Sequence, residues 1–409
     1  MLSCCTLSCC TRGRRRLGRY SRMLREAPVT RPLAVDDDAV ALLRSLSGSH
    51  GIRASLSSTA NYQAIFARDA VMAGVAGLLL GDPVVSAGLV RTLESLRTLQ
   101  GAEGQIASNY EMRPDKSAKV SFGTLAPRID SATWYLVGIG LAARAKVLDA
   151  GPFRESAAAV VRLLDGIEYN GRHLMYIPAG GNWADEYIYD GYILYDQVLR
   201  AWGLRLLGAE YGIAAWREKS EAIGKTIEQR YWPDSDGMRE HPIASYSPLG
   251  VRDIFDLAAS SLLGVSGIAP HIANKTLGWI RTRYLDRSEL PPAFSPVIDE
   301  SHPDWPALRR YHLHEFRNRP HEYHNGGIWP IWLGWLALAL DQGGHDIALG
   351  KLRAAATSRI DRPEGFRFEE FLHGTTGVPG GTTQMAYSAT GLVMLRLAGS
   401  SEHRHLMAS

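Results

Sequence analysis

Carboxyl side chains set among glycines and aromatic rings recur along this chain, each time just ahead of an apolar stretch. Arg68-Asp69 opens the run Ala70–Leu80, and Arg128-Ile129-Asp130-Ser131 precedes a segment carrying Trp134 and Tyr135. Gly181-Asn182-Trp183-Ala184-Asp185-Glu186-Tyr187 leads to Asp190, Tyr192 and Gln197. Phe366-Arg367-Phe368-Glu369-Glu370-Phe371 is followed by Gly374 and then Gly380-Gly381-Thr382-Thr383-Gln384. Acids between aromatic rings suit proton transfer, because burial raises a carboxyl's pKa and keeps it protonated and ready to donate. Cleavage of a sugar–oxygen bond needs two such groups. One protonates the leaving oxygen, and the other activates water or attacks directly. The segments around Asp185 and Glu370 fall in opposite halves of the chain and could face one another across a pocket. Each acid also has a plainer reading. Asp69 and Asp130 could cap helices, the 185–186 pair could be a solvated turn, and Arg367 could neutralise the 369–370 pair.

His321-Glu322-Tyr323-His324-Asn325-Gly326-Gly327-Ile328-Trp329-Pro330 holds two histidines and a glutamate. The spacing matches neither His-Glu-x-x-His nor a zinc finger. Glycines ahead of a proline describe a loop entering a helix, so this segment reads as sugar-lining, with no metal. No Gly-x-Gly-x-x-Gly or Walker-type loop follows a strand, and no Gly-x-Ser-x-Gly elbow is present, so neither a nucleotide cofactor nor serine-hydrolase chemistry is expected.

The elements that would position these residues are helices. Ala70–Leu80 is apolar on nearly every side, as in a buried helix. Gly81-Asp82-Pro83 then breaks it, and Val84–Leu99 follows as an amphipathic helix. The alternation repeats: Trp134–Leu148 with Phe153–Leu164, Tyr192–Leu207 with Ala214–Tyr231, Ile254–Leu263 with His271–Tyr284, and Trp329–Leu340 with Ile347–Ile360. Tyr387–Leu397 closes the series, and Val40–Leu46 stands before it. About twelve helices, alternately buried and half-exposed, predict an all-α (α/α)6 toroid of two concentric rings, and no alternating β-branched run argues for a large sheet. The long connections 101–128, 179–191, 295–327 and 363–383 would gather at one mouth, since loops of this length in a compact fold are usually functional.

Lys+Arg 45 against Asp+Glu 42 gives a net charge of +3, too even to argue for nucleic acid or a membrane as partner. No apolar run approaches the ~20 residues of a membrane span. All 4 cysteines (Cys4, Cys5, Cys9 and Cys10) precede residue 11, so no disulfide framework holds the fold. The Arg- and Ser-rich start would suit a transit peptide, but the favoured reading is an over-extended start with Met23 as the true first residue. The expectation is a cytoplasmic protein with residues 1–28 as a leader or misassigned start. Residues 29–409 then form one catalytic domain. The 10 Trp and 17 Tyr suit the stacking of sugar faces.

Taken together these segments resemble the alkaline/neutral invertase family, one of the (α/α)6-barrel glycosidases alongside glucoamylases, trehalases and debranching glucosidases, over about residues 60 to 398. Tyr323-His324-Asn325-Gly326-Gly327-Ile328-Trp329-Pro330 resembles the family's Tyr-His-Asn-Gly-Gly-Ser-Trp-Pro almost residue for residue. Phe66-Ala67-Arg68-Asp69 is similar to Val-Arg-Asp-Phe, and Arg128–Trp134 to Val-Asp-Ser-Gly-Leu-Trp-Trp. Phe368–Gly374 is similar to Trp-Pro-Glu-Tyr-Tyr-Asp-Gly, and Gln384–Gly391 to Gln-Thr-Trp-Ser-Ile-Ala-Gly. By that register the resemblance implies Glu370 as general base and Asp185 as general acid, with Glu186 the second candidate across a one-residue gap. It implies sugar-hydroxyl binding by Asp69 and Asp130. Arg68, Trp134, Trp183, Tyr187, His324, Asn325, Trp329, Gln384 and Tyr387 complete the expected substrate-binding set.

The family's Arg-Arg after its acid is Glu186-Tyr187 here, and Trp183-Ala184-Asp185 is also similar to the Trp-Met-Asp of debranching-type amylo-α-1,6-glucosidases. The expectation is therefore an inverting hydrolase of an α-glucoside such as sucrose. Its carboxyl groups should lie roughly 6.5–9.5 Å apart, and it should need no cofactor. A debranching-type glucosidase, a sugar 2-epimerase and a non-catalytic sugar-binding toroid are the alternatives. The partner expected is a small carbohydrate, and the oligomeric state is left open.

Overall fold

The structure, a computed structural model, describes residues 36–113, 115, 117–124, 126–169, 171–233, 238–310, 315–361, 365–400 and 406–407. The cysteines and Met23 lie outside them. Thirteen α-helices occur among the described residues: α1 (Asp36–Leu46), α2 (Ala67–Leu80), α3 (Pro83–Thr98), α4 (Ile129–Arg144), α5 (Arg154–Gly166), α6 (Leu194–Glu210), α7 (Ala214–Arg230), α8 (Leu257–Ser266), α9 (Pro270–Arg283), the single turn α10 (Trp305–Leu308), α11 (Pro330–Gln342), α12 (Asp346–Ile360) and α13 (Ala386–Leu397).

Six of these close a ring. α2 packs on α4, α4 on α6, α6 on α8, α8 on α11, α11 on α13, and α13 back on α2. Each is buried nearly all round, as the apolar sequences require. The next helix in sequence packs outside each one: α3 on α2, α5 on α4, α7 on α6, α9 on α8, α12 on α11. α1 fills the outer place beside α13. This is the (α/α)6 toroid. Indoles pack inside the inner ring, with Trp134 and Trp202 both against Trp335, all fully buried.

Small residues set the closest helix approach. A Cβ on Gly391 of α13 would lie 2.0 Å from the Pro330 carbonyl oxygen, and one on Gly334 of α11 would lie 2.5 Å from the Gly391 oxygen. Between α2 and α3, Gly81 takes the left-handed conformation (φ 63°), and its N–H and that of Asp82 close the helix end. The Asp82 carboxylate then accepts from Val84 and Val85 N–H at 3.0 Å to start α3.

The inner ring starts differently. The first N–H of α2 donates to the Ser108 carbonyl (3.0 Å), that of α4 to Gly181 (2.7 Å), that of α6 to Ala244 (2.9 Å), that of α8 to Ala293 (3.0 Å) and that of α13 to Ala54 (2.8 Å). Each acceptor belongs to the loop that enters the next inner helix, so the mouth loops latch one another in a circle. α11 begins with Pro330, which has no N–H to satisfy. There Ile328 exchanges two 2.8 Å hydrogen bonds with Leu372 instead. Strands of two to four residues stiffen the same loops: 65–66 with 109–112 and 118–121, 192–193 with 245–247 and 250–252, 255–256 with 294–295, and 371–372 with 379–380. All pair antiparallel. No helix among the described residues is long and apolar enough to cross a membrane.

Candidate active site

Five of the inner-helix entry segments converge on one cavity of about 220 Å³. Tyr62, Arg68 and Asp69 come from the α2 entrance, Asn109 and Arg128 from that of α4, and Trp183, Asp185 and Glu186 from that of α6. Arg317, Tyr323 and Trp329 come from the α11 entrance, and Glu370, Met385 and Tyr387 from that of α13. Asp185 and Glu370, 185 positions apart in sequence, thus line the same space.

Glu370 is buried and held at both oxygens. The Tyr62 hydroxyl donates to Oε1 (3.0 Å) and the Thr382 N–H to Oε2 (3.3 Å). Burial pushes its pKa above the usual glutamate value, while Arg317 and these two hydrogen bonds pull against the rise. Its neighbour Glu369 is turned aside, accepting from the Arg367 backbone N–H (2.9 Å) and guanidinium (3.2 Å). The neutralised-pair reading therefore describes Glu369 but not Glu370.

Asp185 is not enclosed by aromatic rings. Its side chain is 25% exposed and closes a 2.7 Å ion pair with Arg128. Glu186 is 2% exposed, and its carboxylate takes two contacts from Arg317, whose guanidinium also lies 4.1 Å from the Tyr323 ring centre. Of the two adjacent acids, Asp185 has the freedom to meet a ligand. Its loop is fixed from below. Asn182 Oδ1 accepts from the Ala184 N–H (3.1 Å), and its Nδ2 donates to Asp196 of α6 (2.8 Å).

The residues at the N-cap positions of α2 and α4 are Phe66 and Arg128, which make no side-chain cap, and Asp69 and Asp130 stand in the first turn of each helix. Arg68 sits between them, 3.4 Å from Asp69 and 2.9 Å from Asp130. Asp69 lines the cavity, and its pKa is raised to about 6, by burial first and by the charge of Asp130 after the opposing pull of Arg68. Asp130 lies one layer below, facing the Tyr195 hydroxyl at 3.5 Å.

The aromatic wall is Trp183 against Trp329, nearly perpendicular at 5.5 Å. Tyr387 stands edge-on to Trp329. His324 is buried behind this wall, 5.0 Å from Trp183 and stacked on Trp329. Burial and the guanidiniums of Arg317, Arg68 and Arg128 hold its pKa well below the usual histidine value. His321 is elsewhere, stacked on His373, and no group of three or more metal-ligating side chains gathers among the described residues.

Several expected sugar-binding residues do not line the cavity. Trp134 donates to the Tyr195 hydroxyl at 2.8 Å deep in the ring. Tyr187 is buried face to face with Phe294 at 4.2 Å. Asn325 bonds the Ile298 backbone in both directions (2.8 and 2.7 Å). Gln384 is exposed, on left-handed backbone (φ 54°), with its N–H on the Arg367 carbonyl. Tyr62 and Arg317 line the cavity without having been singled out in the sequence. Arg317-Asn318 ahead of the His321–Pro330 segment was the available signal, while Tyr62 had none beyond its place in a polar loop before Arg68.

No protein-family model matches this chain, and no curated protein matches it. Solved structures do. The GH63 mannosylglycerate hydrolase from Thermus thermophilus, in complex with glucose, aligns at a TM-score of 0.62 and 15% identity over 89% of this chain and 99% of that one. A bacterial glucoamylase complexed with acarbose aligns at 0.62 and 13% identity, over 91% of this chain and 55% of the other. A rhamnosidase from Klebsiella oxytoca with rhamnose bound aligns at 0.60 and 11% identity, over 90% and 63%. At these identities the likeness establishes the architecture: the chain has the (α/α)6 toroid fold that these three carbohydrate-active proteins share.

Proposed function

We propose that this protein is an inverting glycoside hydrolase acting on a small α-glucoside. Asp185 gives a proton to the leaving oxygen, and Glu370 takes a proton from the attacking water. The observation that carries this reading is the meeting of Asp185 and Glu370 in one cavity, with Glu370 aimed by Tyr62 and the Thr382 N–H. A hydrogen-bonded carboxylate and an accessible acid lining one cavity are the two groups that an inverting hydrolysis needs, in which water attacks the face opposite the leaving group. Arg68 and Asp69 are proposed to hold sugar hydroxyls, with Trp183, Trp329 and Tyr387 as stacking surfaces.

Similarity to a mannosylglycerate hydrolase and to a glucoamylase holding acarbose supports a carbohydrate ligand. The invertase resemblance supports sucrose or a close relative. A cavity of about 220 Å³ is below the ~300–1,000 Å³ of ordinary ligand sites. That size favours a disaccharide-sized glycoside over the limit dextrin of a debranching enzyme. A 2-epimerase would need paired histidines facing the sugar, whereas neither His321 nor His324 lines this cavity.

A panel of sucrose, isomaltose, trehalose, glucosylglycerate, mannosylglycerate and limit dextrin tests the proposal. Release of a hexose from one of the small glycosides is expected. Binding without release from any of them, or isomerisation of a free hexose, overturns it.

A further inference from the structure

Three guanidiniums line the cavity, and two are set against more than one partner. Arg68 is shared by Asp69 and Asp130, and Arg317 is gripped by Glu186 over the Tyr323 ring. Arg128 differs. It stands at the last position before α4. Its one described side-chain partner is Asp185, at a single 2.7 Å contact, with the two side chains 16% and 25% exposed. That pairing poses a chemical problem for the hydrolase reading, on which this inference rests. An Asp185 oxygen committed to a guanidinium at 2.7 Å is not free to meet the glycosidic oxygen, where a general acid must act.

We infer that Arg128 is the receptor for a carboxylate on the leaving group of the substrate, and that this carboxylate draws Arg128 off Asp185 and so readies the acid. A carboxylate matches a guanidinium through two parallel N–H···O bonds, against the single contact Asp185 makes. Once Arg128 is drawn away, the Asp185 carboxyl is free to turn to the glycosidic oxygen. Because the competing anion must reach a guanidinium 2.7 Å from Asp185 while Asp185 reaches the glycosidic oxygen, the carboxylate belongs beside that oxygen. The class of leaving group is a 2-hydroxy acid.

The step balances. Asp185 takes a proton from solvent and passes it to the glycosidic oxygen as the bond from that oxygen to the anomeric carbon breaks. Water adds to the anomeric carbon and loses a proton to Glu370. A free hexose and a hydroxy-acid anion leave.

The test compares 2-O-glucosylglycerate with 2-O-glucosylglycerol, its neutral analogue, on the full-length protein and on Arg128→Gln and Arg128→Lys. The wild type is expected to favour the carboxylate in kcat/KM by about 30-fold, the scale of a charged hydrogen bond. Arg128→Gln should bring that ratio close to one, and Arg128→Lys should keep part of it. Calorimetry with D-glycerate alone should show saturable binding to the wild type that Arg128→Gln loses, with glycerol binding to neither. Equal wild-type rates on the two glycosides, or an equal loss on both in Arg128→Gln, overturn the role of Arg128 and leave the hydrolase reading standing. Hydrolysis of neither glycoside, nor of any sugar in the panel above, overturns both.

Discussion

Glu370 carries opposed influences that can be separated one residue at a time. Burial raises its pKa, while the Tyr62 hydroxyl, by donating at 3.0 Å, stabilises the ionised form that a general base needs. Tyr62→Phe removes that donor, so Glu370 should hold its proton to higher pH. The acidic limb of the kcat/KM profile is expected to move upward, with the kcat of the plateau much less affected. A limb that stays in place would mean that Glu370 does not govern it. Gly381 guards the same carboxylate from behind, on left-handed backbone (φ 80°) with its Cβ position 2.5 Å from Glu370 Oε2. Gly381→Ala should lower turnover by ~10²-fold or more, by moving a reacting group about an ångström, and a steady-state assay on the folded variant reads it. At this scale the sequence was legible where acids, aromatics and glycines cluster in long loops, as around Asp185 and Glu370. Tyr62 was not legible, because a lone tyrosine in a polar loop has no period or spacing to mark it. Arg128 was visible beside Asp130, but its contact crosses 57 positions to Asp185, and nothing local encodes that.

Among the elements, the ring depends on backbone contact between α11 and α13, where Gly334 and Gly391 leave no room for a methyl group. Gly391→Ala must push two inner helices apart. A loss of about 2–3 kcal/mol is expected, toward the upper end of overpacking costs, and denaturant unfolding measures it. No loss would mean that this contact is looser than described. The helices themselves could be read from the sequence because inner ones are apolar all round and outer ones on one face. Their starts could not. α4 begins at Ile129, a turn before Trp134, since its first N–H is capped by the Gly181 carbonyl of the next loop and not by a local side chain. α8 begins after Asp256 because residues 255–256 pair with 294–295. Two-residue strands and carbonyl latches leave no trace in hydrophobic period.

Over the whole molecule, the pH dependence of stability reflects acids buried at the inner-helix starts. Asp256 is held with its pKa raised to about 7, through burial, against the pull of the N–H groups it caps. The folded state therefore binds a proton that the unfolded chain releases near pH 4. The stabilising contribution of that proton is complete below pH 4 and is lost as the pH rises toward 7. Asn caps almost as well as Asp and carries no charge. Asp256→Asn should match the wild type near pH 4 and exceed its Tm by ~3 °C or more at pH 8. A Tm difference that does not grow between these pH values would contradict the burial argument. The same toroid that buries these acids brings the 185 and 370 loops to a single mouth, and that convergence is what the sequence could only anticipate from twelve alternating helices.

The claim on which the function rests is that Glu370 activates the water that attacks the sugar. Proton NMR of the first anomer released from an α-glucoside of the panel, followed for the wild type and for Glu370→Gln, tests it most directly. The account predicts β-glucose as the initial product and a fall in turnover of about 10³-fold in the variant with the substrate still bound. Initial α-glucose, or undiminished release from Glu370→Gln, would contradict it.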